Sequence, residues 1–525
     1  MFMAVNLIAP DQYNITQEVE QFGHLDDREA IRWLNAEGDR QIVSYKQLVE
    51  KMNQYAHTLT NAGLKTGDRV LVIIPRLPEA YYIFLGCLKA GLVPISCSEM
   101  LRAKDLEYRM QHAGASGIIS YHLFTEEVDK ISDDVEAMKI KLVIGNAHGS
   151  WLSLNEQALS QSTQFTAANT HRDDMAFLSY TSGTTGNPKG VVHSHGWGYA
   201  HVRTAATKWL GVHEGDLVWA TAAPGWQKWV WSPFLSTIML GATAFVYHGG
   251  FDAKTYLQLL QDEKVNVLCC TPTEYRIMAK LDNLDDYNLT ALRSAVSAGE
   301  PLNRPVIETF HKHFNLKVRD GYGQTENTLL VGTLEDTELR PGSMGKPTPG
   351  NRVCIIDPEG NETRVGEVGD IAVHRSTPAL FKEYYRELER TQAAFRGDWY
   401  ITGDQAYRDE EGYFWFEGRG DDIIISSGYT IGPFEVEDAL NKHAAVQECA
   451  VVAAPDEIRG NIVKAFIVLR ESHKDQGNEL LVKELQEHVK EMTAPYKYPR
   501  SIVFLDELPK TTSGKIRRVE LRAQH

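Results

Sequence analysis

The residues best suited to chemistry form one run, Tyr180-Thr181-Ser182-Gly183-Thr184-Thr185-Gly186-Asn187-Pro188-Lys189-Gly190. Glycines there permit backbone turns closed to other residues and let N–H groups approach an anion. The hydroxyls and the Lys189 ammonium add donors for phosphate oxygens. Apolar Met175-Ala176-Phe177-Leu178 precedes the run and Val191-Val192 follows it, so strands are expected on both sides. A P-loop differs, because its lysine follows the last glycine and opens a helix. Here Lys189 comes before a glycine. The expected chemistry is the wrapping of a polyphosphate.

Other constellations are weaker. His193-Ser194-His195 and His311-Lys312-His313 have no acidic or cysteine partners at ligand spacing, and no His-Glu-x-x-His occurs. The six cysteines include no Cys-x-x-Cys, and Cys269-Cys270 follow an apolar run that reads as a buried strand. They are expected as packed thiols in a reduced, cytoplasmic chain. The first ten residues are apolar but lack a basic start, so they do not resemble a signal peptide.

The elements that must position the loop alternate between strand and helix. Residues 69–74 read as a strand closed by Pro75, residues 79–89 as a helix ending near Gly91, and residues 92–95 as a second strand. The alternation returns at residues 215–247. Continuously apolar strands imply sheets covered on both faces, hence an α/β architecture. The last hundred residues differ: helix at 436–443, strands at 446–453 and 464–469, a charged helix at 479–490, and a strand at 502–505. They read as a compact α+β unit. Gly418-Arg419-Gly420-Asp421-Asp422 is the expected boundary, giving domains 1–420 and 421–525.

Composition limits the partners. The chain has 525 residues, is 43% hydrophobic and 24% charged, and carries 54 Lys+Arg against 70 Asp+Glu, a formal charge of −16. It can bury a large core, and it lacks the basic footprint that nucleic-acid or anionic-membrane binding requires. No window reaches the roughly 18 apolar residues of a membrane span. A local basic site for a phosphorylated ligand stays open.

The loop resembles the signature of the adenylate-forming superfamily, which includes acyl- and aryl-CoA synthetases, peptide-synthetase adenylation domains and luciferase. Further segments follow in that family's order: Ser297-Ala298-Gly299-Glu300-Pro301-Leu302, Asp320-Gly321-Tyr322-Gly323-Gln324-Thr325-Glu326, Tyr400-Ile401-Thr402-Gly403-Asp404, the Arg419 segment, and Pro509-Lys510-Thr511-Thr512-Ser513-Gly514-Lys515. The resemblance spans nearly the whole chain. It implies a large multi-sheet N-terminal domain and a small mobile C-terminal one that swings about Asp421. The reaction implied joins ATP and a carboxylic acid into an acyl-adenylate, from which the thiol of CoA displaces AMP.

By resemblance, the phosphates face Thr181, Ser182, Gly183, Thr184, Thr185, Gly186, Lys189 and Thr325. Gly299, Glu300, Pro301, Asp320, Gly321 and Tyr322 form the walls of the adenine slot, with the Tyr322 ring as stacking face, and Gly323 and Gln324 also belong to the nucleotide-binding set. Asp404, which reads as the end of a strand-like Trp399-Tyr400-Ile401-Thr402, accepts the ribose hydroxyls, and Arg419 contacts the same region. Glu326 holds Mg²⁺, a single carboxylate beside substrate phosphates being a common magnesium site. Lys515 bridges the acid and the α-phosphate. Ser427 and Gly428 adjoin CoA; Thr430 departs from the arginine common there. Gly225 and Trp226 bound the acyl pocket, while Trp229 and Trp231 read equally well as core.

Residues 426–437 and 493–500 most resemble the medium-chain acyl-CoA synthetase branch. The expected substrate is a short- to medium-chain acid, branched acids included. An aryl-acid CoA ligase and a catalytically silent acyl- or nucleotide-binding protein are the alternatives. No carrier domain follows residue 525, which argues against a peptide-synthetase module, and Ala523-Gln524-His525 is not a peroxisomal signal.

Overall fold

The run Val70-Leu71-Val72-Ile73 is buried along its whole length and lies inside a sheet, between two parallel neighbours. The computed structural model describes every residue except 1–5, 132–137, 182–186, 301, 303, 421, 427–428, 457–458, 494, 511–515 and 525. One five-stranded sheet is wholly parallel, ordered Val93–Cys97, Arg69–Ile73, Gly117–Tyr121, Ile140–Ile144, Leu152–Ser153. The expected strand–helix–strand unit lies here, with the helix at Pro78–Lys89 and proline at its first turn. Every residue of that helix but Glu79 is buried, as for a helix packed on all sides.

A nine-stranded sheet runs Lys346–Pro347, Leu329–Gly332, Val318–Gly323, Ser294–Ala298, Val267–Cys270, Leu217–Ala220, Thr243–His248, Glu29–Asn35, Arg40–Ser44. Its six strands from Val318–Gly323 to Glu29–Asn35 are mutually parallel and its edges are antiparallel. A third, antiparallel sheet contains Val353–Ile356, Gly369–His374, Trp399–Arg408, Phe395–Arg396 and Phe414–Arg419. Cys269 and Cys270 are buried thiols, and all six cysteines are free.

After Arg419 the chain makes a hairpin, Ile424–Ser426 with Tyr429–Ile431, and then a three-stranded sheet, Val446–Asp456, Gly460–Leu469 and Ser501–Phe504. Helices Pro433–Asn441 and Glu479–Met492 cover one face of that sheet; Leu508, Ile516 and Leu521 pack on the other. Two apolar clusters, one per face, make this segment the α+β unit read from its pattern. Among the described residues, no helix is long and apolar enough to cross a membrane.

Candidate active site

The glycine-rich run closes an antiparallel hairpin of Met175–Thr181 and Lys189–Ser194, paired so that Thr181 stands opposite Lys189. Strands on both sides are as the sequence indicates. The loop's Ser182, Gly183, Thr184, Thr185 and Gly186 lie outside the described residues, as do Pro301, Asp421, Ser427, Gly428 and Lys515. Thr181 Oγ1 is shielded from solvent and has no hydrogen-bond partner among the described residues.

Residues 382–385 run along the hairpin as a further extended segment. Tyr385 N–H donates to Gly190 C=O at 2.7 Å, Lys382 N–H to Val192 C=O at 2.9 Å, and Tyr384 is bridged to Val191. This brings Tyr384 beside Lys189. The Lys189 ammonium lies 2.8 Å from the Tyr384 hydroxyl oxygen and 2.8 Å from Glu326 Oε1, and the Tyr384 hydroxyl lies 2.9 Å from the same carboxylate oxygen. Glu326 itself is pinned by its backbone, since its C=O accepts from Phe381 N–H at 2.7 Å. Its side chain is only 8% exposed. The other carboxylate oxygen, Oε2, has no hydrogen-bond partner among the described residues. Sequence reasoning missed Tyr384: a lone tyrosine carries no motif, and only the pairing with the hairpin places it.

Strand Val318–Gly323 carries Asp320, Gly321, Tyr322 and Gly323 beside Ser294–Ala298, which leads into Gly299 and Glu300. Gly299 has φ +113°, a conformation that side-chain-bearing residues rarely adopt. Glu300 accepts from Thr273 Oγ1 at 2.7 Å and pairs with Arg276 at 3.0 Å. Asp320 accepts from Gly321 N–H at 2.8 Å, yet burial pushes its carboxyl up to about 7.

The Tyr322 hydroxyl donates to Asp404 Oδ2 at 2.6 Å, and Gln324 Nε2 donates to the same oxygen at 2.7 Å and to Thr402 C=O at 2.9 Å. Burial, reinforced by Asp404, holds the Tyr322 hydroxyl protonated well above the usual range. Asp404 also faces Arg419 across the antiparallel ladder. Tyr322, Gln324, Asp404 and Arg419, taken from three sequence segments, are thus brought together. One element differs from the sequence reading: Asp404 does not end a strand but lies within Trp399–Arg408. Gly403, at φ +78°, kinks that strand without breaking it, which is why the glycine reads as a terminator.

Trp209 and Trp231 pack against Gly321 and Gly323 of the Val318–Gly323 strand. Gly225 passes so close to residues 97–98 that an added Cβ would fall 2.3 Å from Ser98 Cα, so the close approach requires glycine. Trp226 is half-buried. Trp229 is core: it stacks on Phe234 at 5.2 Å and meets Phe84 at 4.9 Å and Tyr81 at 5.2 Å. Trp231 is 6% exposed, and its ring edge lies 3.1 Å from where a Cβ on Gly323 would sit. Among the described residues, no three His, Cys, Asp or Glu side chains converge on a common point. His193 and His201 are buried and neutral, desolvation pulling each down to about 3.

A family model for AMP-binding enzymes matches residues 19–385, and a model of the AMP-binding enzyme C-terminal domain matches residues 435–515. An uncharacterised acyl-CoA ligase of Bacillus subtilis, YtcI, is 60% identical over 99% of this chain and 98% of its own length. The chain belongs to the AMP-binding enzyme family, in its acyl-CoA ligase branch. The mitochondrial human acyl-coenzyme A synthetase ACSM3 is 39% identical to this ligase over 98% of the chain and 90% of its own length. Among solved structures, the anthranilate CoA ligase AuaEII in complex with anthranoyl-AMP superposes with a TM-score of 0.90 at 30% identity, covering 98% of both chains. A benzoate CoA ligase from Burkholderia xenovorans LB400 gives a TM-score of 0.85 at 29% identity, over 97% of this chain and all of that one. The α/β body with a smaller C-terminal unit is therefore the adenylate-forming fold.

Proposed function

We propose that this ligase uses ATP to adenylate a short- to medium-chain carboxylic acid, branched acids included, and then transfers the acyl group to CoA. The observation that carries the reading is the convergence of Lys189 and Glu326 at 2.8 Å, beside Asp404 held by Tyr322 and Gln324. One end of that array suits a polyphosphate and the other a vicinal diol, because a carboxylate accepts from two hydroxyls. Thr181 and Lys189 donate to phosphate oxygens, Thr325 to the α-phosphate, and Asp404 with Arg419 holds the ribose. Glu326, with Oε2 unengaged, fits a magnesium ion shared with substrate phosphates. That ion would neutralise phosphate charge when bound.

Gly299, Glu300, Asp320 and Gly321 wall the adenine in this reading. Lys515 supplies the cation between acid and α-phosphate, where charge develops in the transition state. Asp421 is the hinge between units 1–420 and 421–525, and Ser427 and Gly428 adjoin CoA. Gly225 and Trp226 bound the acid. A cytoplasmic site of action belongs to the proposal and is supported by six free cysteines.

An aryl acid is the second reading, favoured by the aromatic side chains around Trp226 and by the anthranilate and benzoate ligases among the structural relatives. Acid-dependent exchange of pyrophosphate into ATP tests both. Exchange with butyrate through octanoate supports the first reading, exchange with benzoate alone supports the second, and none with any acid overturns adenylation.

A further inference from the structure

Three side chains on one short stretch carry donors with nothing to receive them. Gln227 Nε2, Lys228 Nζ and Trp231 Nε1 are shielded from solvent and lack a hydrogen-bond partner among the described residues. Lys228 is the most consequential, since an ammonium taken out of water is strongly disfavoured unless an anion accompanies it.

Ring faces hold this cation. Nζ stands 4.9 Å from the centroid of Trp209 and 5.7 Å from that of Trp231. Indole faces attract an ammonium but bring no negative charge. Both indoles sit on π-helical stretches, Val202–Leu210 and Val230–Leu235, a wide-turn geometry that recurs at functional sites. The neighbouring His201 is neutral, burial pulling it down to about 3. Among the described residues, none gives Lys228 a hydrogen bond or an ion pair.

The same indoles fix where the ammonium lies. Trp209 Nε1 donates to Asp320 C=O at 3.1 Å, and a Cβ on Gly321 would fall 2.6 Å from Trp209 Cε2. Trp231 meets Gly323 in the same way. Lys228 therefore sits behind the strand that leads into Thr325 and Glu326, two residues after Trp226. On the phosphate side, Lys189 is already the partner of Glu326. The walls around Lys228 are indoles, which suit an organic acid better than a hydrated triphosphate.

We propose that Lys228 is the counter-cation for an anionic oxygen of the acid substrate. This rests on the ligase reading above and adds a residue that recognises the acid apart from the nucleotide. The oxygen belongs either to the acid's own carboxylate before adenylation or to a second acceptor at its far end.

Calorimetric binding of butyrate, hexanoate, benzoate and glutarate to the full-length protein tests this, with MgATP as control. Lys228→Met should weaken acid binding about tenfold or more and raise the KM for the acid equally, leaving ATP affinity and KM for ATP unchanged. Lys228→Arg should recover part of the loss. An equal loss across all four acids identifies the reacting carboxylate, and a loss confined to glutarate identifies a distal acceptor. Because no partner of Lys228 is orphaned, Lys228→Met should keep or raise Tm; Lys228→Gln removes the charge while keeping a polar end. Unchanged acid affinity in both variants, whether or not Tm falls, overturns the assignment. If the wild type itself shows no acid-dependent pyrophosphate exchange, the ligase proposal fails, a result distinct from the failure of Lys228.

Discussion

Lys189 Nζ and Glu326 Oε1 stand 2.8 Å apart, although one lies on the loop hairpin and the other beyond the far sheet's Val318–Gly323 strand. Tyr384 touches both, at 2.8 and 2.9 Å. An arriving polyphosphate competes with Glu326 for Lys189, and a divalent cation competes with Lys189 for Glu326. Magnesium and nucleotide should therefore bind cooperatively. Lys189→Met and Glu326→Gln should each lower pyrophosphate exchange by roughly a hundredfold or more, and the double variant should lose less than the product of the two. Strict additivity in that cycle would mean that the pair does not act as a unit.

Tyr384→Phe probes the same contact more gently. The lysine and the carboxylate still satisfy each other, so the cost in stability should be about 1–3 kcal/mol, the two hydrogen bonds of the lost hydroxyl. The expected signature is a several-fold rise in KM for MgATP with the KM for the acid unchanged, read from steady-state kinetics.

Asp404 receives two hydrogen bonds on a single oxygen, at 2.6 Å from Tyr322 and 2.7 Å from Gln324. Asp404→Ala should cost about 1–3 kcal/mol of stability by orphaning those donors. Asp404→Asn retains an acceptor and should fold, yet raise KM for ATP far more than KM for the acid. Equal changes in both constants would remove Asp404 from the nucleotide.

Stability should fall with rising pH through the Asp320 carboxyl. Burial lifts it from the usual carboxylate range to about 7, so the folded chain holds a proton that the unfolded chain releases near pH 4. The contribution is complete below about pH 4 and is lost as pH rises towards 7, with Glu417, also raised to about 7 by burial, acting in the same direction. Asp320→Asn should flatten the Tm profile over that window without abolishing its slope, as measured by calorimetric melts at several pH values.

Trp226→Gly should move acid preference towards longer or bulkier chains. One methylene in an apolar pocket is worth about 1–3 kcal/mol, so the change should be a graded shift across a homologous series. An unchanged kcat/KM profile would place Trp226 outside the pocket.

Much of the fold was legible because buried parallel strands are runs of Val, Ile and Leu, and their helices stop at glycines. The hairpin around the glycine-rich loop and the strands at Val446–Asp456 and Gly460–Leu469 follow from that patterning. Trp399–Arg408 did not, because Gly403 interrupts the apolar pattern although the ladder continues through it. Motifs placed Glu326, Tyr322 and Asp404; chain pairing between distant segments placed Tyr384, and ring packing placed Lys228. Neither contact has a local spacing to betray it. Trp229 and Trp231, three and five residues past Trp226, look alike in sequence and diverge only in what packs on them.

The most direct measurement of the central claim is the product ratio in a complete reaction of ATP, CoA and each acid of a panel. The account predicts AMP and acyl-CoA in equal amounts, with pyrophosphate and no ADP, for at least one short- to medium-chain acid. ADP as the nucleotide product, or AMP formed independently of any acid, would contradict it.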